Sequence, residues 1–172
     1  MASFVTCAPE DWRMNPFEAI GRRGMLITAA KKDGSYNTMT ASWGTLGVLW
    51  GKPVCTVYIR PQRFTYEFAE EGDAITLSFF DRKYDEVLRF CGTHSGRDVD
   101  KAASCALTPC RTKNGGVYFL EASSVVIARK LYADDLKEVL FVHSDPLAHY
   151  PQKDFHRTYI CEIGQILTKI SS

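Results

Sequence analysis

The order of apolar and polar positions predicts a chain in which strands dominate and short helices lie between them. An apolar run that begins at Met25 is followed by the turn signal Asp33–Gly34 and by a mixed run, YNTMTASWG, so two strands joined by a tight turn are predicted. The next stretch, KPVCTVYIRP, has β-branched or aromatic residues on both faces. It predicts a strand buried on two sides, which ends at Pro61 because proline cannot continue a ladder.

Two segments change to helical spacing. One helix is predicted over RFTYEFAEEGD, where Phe64 and Phe68 recur at helical spacing and Gly72 closes the segment. A second helix is predicted over KYDEVLRFCGTHSG, where Cys91 lies on an apolar stripe and Gly92 marks the end.

Further strands are predicted over AITLSFF, over GGVYFLEASSVVIARKLYADD with a break at Ser123–Ser124, and over KEVLFVHSD and TYICEIGQILTKI. The strands come in hairpin-like runs and not in the regular strand–helix alternation of a parallel doubly wound sheet. A closed or nearly closed antiparallel barrel is therefore predicted.

Composition limits the class of protein. The chain has 172 residues, which suits one domain over residues 1–172, and its apolar share of 45% and charged share of 24% are typical of soluble globular proteins. A net charge of +1 provides no overall field that would favour nucleic acid or an acidic membrane surface. No secretion signal or membrane-spanning run is visible, and six cysteines are spread without a compact framework, so reduced thiols in the cytoplasm are expected.

Polar and cationic residues cluster at or beyond the ends of predicted strands. Arg63 and Thr65 stand at the start of the first predicted helix, where free N–H groups and a partial positive charge would suit a phosphate dianion. The alternative is that Thr65 only caps the helix. The hydroxyls of Thr38, Thr40 and Ser42 would by themselves indicate a solvent-facing stripe, but the opposite face of that strand is not cleanly apolar.

Four segments of the chain, taken in order, resemble the flavin reductase-like FMN-binding split-barrel family, and its flavoredoxin-type members in particular. The segments are NTMTASWG, KPVCTVYIRPQRFTYEF, AITLSFF and CGTHSGRDVDK. The resemblance runs from about residue 24 to residue 101, with a weaker match at YICEIGQIL. It implies a mainly β fold, a Greek-key split β-barrel with short peripheral helices. It also implies a homodimer with FMN bound at or near the subunit interface.

The resemblance also implies which residues contact FMN. The expected cofactor-binding residues are Asn37, Thr38, Met39, Thr40, Ala41, Ser42, Trp43, Tyr58, Arg60, Arg63, Thr65, Ser78, Phe80, Ser95, Gly96 and Lys101. Ser78 stands where asparagine is common in the family, and the presence of two arginines leaves open which one contacts the phosphate. Hydroxyl groups near the ring would hydrogen-bond to it, and Trp43 or Phe80 would pack on its dimethylbenzene edge. The resemblance identifies no acid–base residue.

The implied function is an oxidoreductase that moves a hydride or electrons between NAD(P)H, FMN and an acceptor. The alternative is an FMN-binding electron carrier that has no nicotinamide site and works with a redox partner protein. A third interpretation is a barrel that has lost its cofactor and serves as a binding module.

Two further interpretations concern histidine and cysteine. Cys91, His94, Cys105 and Cys110 have a spacing that zinc could use, but a cysteine on the apolar stripe of a helix favours a buried thiol, so no metal is expected. His149 and His156 are interpreted as surface-loop residues; the alternative is that one of them reaches the flavin edge as a proton donor.

Overall fold

The computed structural model describes residues 4–170, which form ten strands and three α-helices. The strands are β1 (Phe4–Cys7), β2 (Met25–Ala30), β3 (Tyr36–Ala41), β4 (Gly44–Leu49), β5 (Lys52–Ile59), β6 (Ala74–Phe79), β7 (Pro109–Arg111), β8 (Val117–Phe119), β9 (Ser124–Asp135) and β10 (Arg157–Lys169). The helices are α1 (Phe64–Glu71), α2 (Asp85–Thr93) and α3 (Lys101–Ser104). Within these residues, no helix is long and apolar enough to cross a membrane.

Eight strands form one antiparallel sheet in the order β3–β2–β6–β9–β10–β5–β4, with β1 added to β10. The long strand β10 pairs with β9 along one edge, and on the other edge with β5 in its first half and β1 in its last four residues. The β9–β10 register shifts between Ile160 and Cys161 and again between Ile163 and Gln165. Such irregularities bend strands and let a sheet curl around a core. The predicted antiparallel, mainly β architecture is confirmed.

Apolar side chains are divided between a cluster inside the curled sheet and a second cluster outside it. Alternation along the fully buried β2 places Ile27 in the inner cluster and Leu26 in the outer cluster. Phe68 anchors α1 on the inner cluster, whereas Leu88 and Cys91 anchor α2 on the outer one. Both helices contact β3. The start of α1 and the end of α2 therefore lie close to the same strand.

Several local predictions are confirmed. The turn between β2 and β3 has Gly34 at φ 87°, and the Asp33 carboxylate accepts a hydrogen bond from the Ser35 amide at 2.8 Å. β5, α1 and β6 fall within the predicted segments, and the predicted break separates β8 from β9.

Other local predictions are wrong. Gly92 lies inside α2, which continues to Thr93. The segment KEVLFVHSD, where a strand was expected, contains a 3₁₀ turn at Glu138–Leu140, and a second 3₁₀ helix begins at its last residue, Asp145. The strands β1, β4 and β7 were not predicted. β4 joins β5 through Trp50 and Gly51, which both have positive φ (53° and 68°), the geometry of a tight hairpin turn.

Candidate functional site

A cleft opens where β3, the end of β5, the start of α1 and the loop between α2 and α3 meet. It has two lobes, of about 420 and 130 Å³, which share Met39, Gln62 and Arg63. The larger lobe is also lined by Thr40, Ala41, Ser42, Trp43, Tyr58, Arg60 and His156. The smaller lobe is also lined by Asn37, Phe64, Thr65, Thr93, His94, Ser95, Gly96 and Lys101. The structure thus brings together most of the residues expected from the sequence.

The wall of the smaller lobe is built from three residues in close contact. The amide nitrogen of Asn37 donates a hydrogen bond to the Thr65 hydroxyl oxygen at 2.7 Å, and both side chains are buried. Gly96 packs so tightly here that a Cβ atom would lie 1.9 Å from the Asn37 carbonyl oxygen. Only glycine fits at this position without displacing Asn37.

Two cations at the smaller lobe have no anionic partner among the described residues. Lys101 is 6% exposed, and its ammonium group donates to the carbonyl oxygens of Thr38 at 2.9 Å and Cys91 at 2.8 Å. Arg63 donates to the carbonyl oxygen of Gly92 at 3.2 Å. Neither cation forms a salt bridge with any carboxylate in residues 4–170.

Burial is the main cause that lowers the pKa of both groups, and for Lys101 the nearby charge of Arg63 lowers the pKa further. Lys101 is buried and Arg63 is half-buried, and two such positive charges that repel one another are unfavourable unless an anion joins them. The smaller lobe is therefore suited to bind an anion.

The second arginine of the cleft is neutralised. Arg60 forms an ion pair with Asp154 and donates to the carbonyl oxygen of His149 at 2.9 Å, and its guanidinium lies 5.2 Å from the centre of the Tyr150 ring. The sequence left open which arginine would meet a phosphate. The geometry favours Arg63, because its charge is not already compensated.

A buried histidine lines the larger lobe. His156 is 8% exposed, its Nδ1 is hydrogen-bonded to the Tyr150 hydroxyl at 2.8 Å, and its ring centre lies 5.0 Å from that of Trp43. Burial, with a further contribution from the charge of Arg60, lowers its pKa to about 4, so the imidazole is neutral near pH 7. The interpretation of His156 as a surface-loop residue is wrong. One available signal was its position directly before β10, at a strand end like the other cleft residues.

Two of the expected hydrogen-bonding hydroxyls are already engaged within the protein. The Thr38 hydroxyl donates to the carbonyl oxygen of Ile27 at 3.2 Å and also contacts the Thr28 hydroxyl at 3.0 Å. The Thr40 hydroxyl donates to the carbonyl oxygen of Leu88 at 2.5 Å. These two hydroxyls therefore have no hydrogen left to donate into the cleft, contrary to the expectation from the sequence.

Ser78 and Phe80 do not line either lobe. Ser78 lies in β6, which β2 separates from β3, and Phe80 follows the end of β6. Phe80 is buried in the outer apolar cluster, where its ring lies 5.5 Å from that of Tyr84. Ser78 is fully buried, and its hydroxyl has no hydrogen-bond partner.

The cysteines of the zinc alternative do not form a metal site. Over the described range 4–170, no group of three or more His, Cys, Asp or Glu side chains is placed to hold a metal ion. Cys91 is fully buried in the outer cluster, against which Cys105 packs, and burial raises the pKa of the Cys91 thiol to about 12.

Comparison with known proteins was made on both sequence and structure. Residues 17–153 match the family described as flavin reductase-like domain. No curated protein matches the sequence significantly.

Several solved structures share the fold. Flavoredoxin of Desulfovibrio vulgaris (Miyazaki F) superimposes with a TM-score of 0.67 at 22% identity, covering 84% of this chain and 68% of that one. An FMN-binding domain of a flavin reductases-like enzyme from Shewanella baltica OS155 gives a TM-score of 0.69 at 14% identity, covering 97% and 78%. A protein with a split barrel domain from Shewanella frigidimarina NCIMB 400 gives 0.66 at 15% identity, covering 88% and 70%. The predicted split-barrel fold is therefore confirmed.

Proposed function

The chain belongs to the flavin reductase-like domain family, and we propose that it is an oxidoreductase that binds FMN in the two-lobed cleft and moves a hydride or electrons between NAD(P)H, FMN and an acceptor. The observation that carries this proposal is the pair of cations at the smaller lobe of the cleft, the buried Lys101 and the half-buried Arg63, which no carboxylate of the described residues compensates. When bound, FMN supplies the redox chemistry, which requires no protein nucleophile.

The smaller lobe suits the phosphate of FMN. Arg63 and Lys101 supply positive charge, and the first turn of α1 adds free backbone N–H groups and the positive end of the helix dipole. The Thr65 hydroxyl oxygen accepts its hydrogen bond from Asn37, which leaves the hydroxyl hydrogen of Thr65 to donate to a phosphate oxygen.

The larger lobe suits the flavin ring. Met39 and Ala41 provide apolar contact, and Trp43 adds a flat aromatic surface at the mouth. The neutral His156, with the Tyr150 hydroxyl bound at its Nδ1, keeps Nε2 to hydrogen-bond to the polar edge of the ring.

The same proposal includes a homodimer. Apolar side chains stand exposed on the β4–β5 hairpin and on the segment after β9, among them Val48 (78% exposed), Val139 and Val142 (89% each). Surfaces of this kind favour contact with another protein surface, and a second copy of this chain is the occupant that the family resemblance implies. Light scattering on purified protein should give twice the monomer mass, and a monomer at micromolar concentration would contradict this part of the proposal.

An anaerobic titration with NADH and NADPH tests the reaction. The purified protein should be yellow or should take up added FMN, and the flavin absorbance should bleach within minutes of adding a nicotinamide nucleotide. Bleaching only by dithionite or by a redox partner protein would favour the electron carrier. Protein that stays colourless with added FMN would contradict the assignment.

A matched pair of variants tests the placement of the phosphate. Replacing Arg63 by Gln together with Thr65 by Ala should weaken binding of FMN by about 150-fold or more, since hydrogen bonds to a charged group contribute about 1.5–3 kcal/mol each. Riboflavin, which has no phosphate, should bind as before. The control is Arg60→Gln, which removes the compensated guanidinium and should not change the preference for FMN over riboflavin. Equal losses of both ligands in the double variant would remove these residues from the phosphate site.

A further inference from the structure

The two arginines of the cleft differ in how their charges are compensated. Arg63, which lines both lobes, faces no carboxylate of the described residues, and neither does Lys101 in the smaller lobe. In the larger lobe, Arg60 is ion-paired with Asp154, a residue that is itself outside the lining of the cleft and whose side chain is 17% exposed. Asp154 also accepts a hydrogen bond from the side-chain amide of Gln62. The carboxylate is therefore held in place by two side chains that line the larger lobe.

The other polar groups around Arg60 do not alter this balance. The ring of Tyr150 covers the guanidinium, and the carbonyl oxygen of His149 takes a second hydrogen bond from it. His156 is neutral near pH 7 for the reasons given above. Arg60 therefore adds no net charge to the larger lobe, and the excess positive charge of the cleft comes from Arg63, which both lobes share, and from Lys101 in the smaller lobe.

We propose that Asp154 is a positioning residue that compensates the charge of Arg60, so that the flavin ring in the larger lobe does not face a second free guanidinium in addition to Arg63. The inference rests on the proposed function, because it places the ring of FMN in the larger lobe. The role of Asp154 is nevertheless a separate claim from the binding of FMN, since FMN could bind in this orientation whether or not Asp154 controls the charge around the ring.

The consequence for the flavin follows from charge balance. Oxidised FMN that takes up two electrons and one proton gains a negative charge on its ring, and a free guanidinium nearby would stabilise that reduced form more than the oxidised form. With Arg60 compensated by Asp154, the protein holds oxidised and reduced FMN with more similar affinities. The bound flavin then remains a stronger reductant than it would be if Arg60 were a second unpaired arginine beside it.

Three variants test this inference through the ratio of affinities for reduced and oxidised FMN. Oxidised FMN is titrated by fluorescence quenching, and an anaerobic dithionite titration against a reference dye gives the potential of the bound flavin. Asp154→Asn frees Arg60 and should favour reduced FMN by about tenfold, which corresponds to about 30 mV for two electrons. Arg60→Gln leaves Asp154 unpaired and should shift the ratio in the opposite direction. The double variant is neutral again and should return close to the wild-type ratio.

The two single variants should shift the ratio of affinities in opposite directions, which distinguishes an effect of charge from an effect of altered structure. If Asp154→Asn only loosened the loop that carries it, both forms of FMN would bind more weakly, the ratio would not change, and the inference would be wrong. Single variants that both shift the ratio in the same direction would also overturn it. Wild-type protein that binds no FMN would instead contradict the proposed function. Normal FMN binding with an unchanged ratio in all three variants would leave the proposed function standing and refute only the role of Asp154.

Discussion

Lys101→Met is the substitution that tests the anion site most sharply. It removes the charge of a side chain that is 6% exposed while keeping a similar length and volume. Without ligand, the change has opposing effects on stability. Loss of an uncompensated buried charge is favourable, whereas the carbonyl oxygens of Thr38 and Cys91 each lose a donor, at about 1 kcal/mol per hydrogen bond. We therefore expect the ligand-free variant to fold with a free energy of unfolding within about 2 kcal/mol of wild type.

The effect should appear when FMN is added. A charged hydrogen bond contributes about 1.5–3 kcal/mol, so FMN binding should weaken by about 10- to 150-fold. At a concentration 100 times its Kd, FMN should stabilise the wild-type protein by about 2.7 kcal/mol, which is about 5–11 °C in Tm for a chain of this size. If the variant binds about 30-fold more weakly, the same concentration adds about 0.9 kcal/mol.

Thermal unfolding with FMN and with riboflavin measures this difference, and Lys113→Met, at an exposed lysine, is the matched control. Riboflavin should shift the Tm of the wild-type protein and the Lys101 variant equally. A Lys101 variant that is stabilised by FMN as much as wild type would refute the reasoning. A variant that loses the response to both ligands would show that Lys101 supports the fold of the cleft and not the anion site.

Two other substitutions have defined outcomes. Gly96→Ala should weaken FMN binding about tenfold or more, because the new Cβ displaces Asn37. The displacement leaves a buried polar group without its hydrogen-bond partner, which costs about 1–3 kcal/mol. The control is Gly47→Ala, where a Cβ meets nothing within 4 Å and FMN affinity should not change. Burial lowers the pKa of His156 from 6.5 in the unfolded chain to about 4 in the folded protein. Between these pH values the unfolded chain binds more protons than the folded protein does. The free energy of unfolding should therefore fall by about 3 kcal/mol as the pH drops from 6.5 to 4. Urea unfolding of His156→Gln should lose this part of the pH dependence, and the exposed His143→Gln should retain it; an unchanged profile in the first variant would contradict the burial argument.

Local patterns in the sequence were sufficient for the parts of the fold that carry local signals. The β2–β3 hairpin has a turn that requires positive φ, and α1 has apolar residues at helical spacing, so both could be predicted from a few residues. β4 could not, because its six residues include two glycines and are mostly exposed, which leaves little apolar alternation to detect. The segment after β9 is apolar like a strand, but Val139, Leu140 and Val142 stand exposed in the described chain.

The residues that line the cleft could be predicted only through the family resemblance. Only the structure shows which of their charges and hydroxyl groups are already engaged within the protein. Asn37, Thr65 and Gly96 were expected together from the resemblance, and the structure places them in contact. The difference between Arg60 and Arg63 could not be read from the sequence, since the carboxylate that compensates Arg60 is 94 positions away. The hydrogen-bond partner of a hydroxyl group also cannot be predicted from the sequence pattern. Thr38 and Thr40 donate to backbone carbonyl oxygens that come close to them only in the folded chain.

The central claim is that the cleft holds FMN with its phosphate between Arg63 and Lys101, and ³¹P NMR of the bound cofactor tests it directly. A free phosphate monoester loses its second proton, and so becomes a dianion, with a pKa near 6. One buried and one half-buried cation, neither compensated by a carboxylate of the described residues, should keep the bound phosphate as a dianion, so its ³¹P resonance should not shift between pH 7.5 and 5. A bound resonance that titrates like that of free FMN would place the phosphate in solvent and contradict the account.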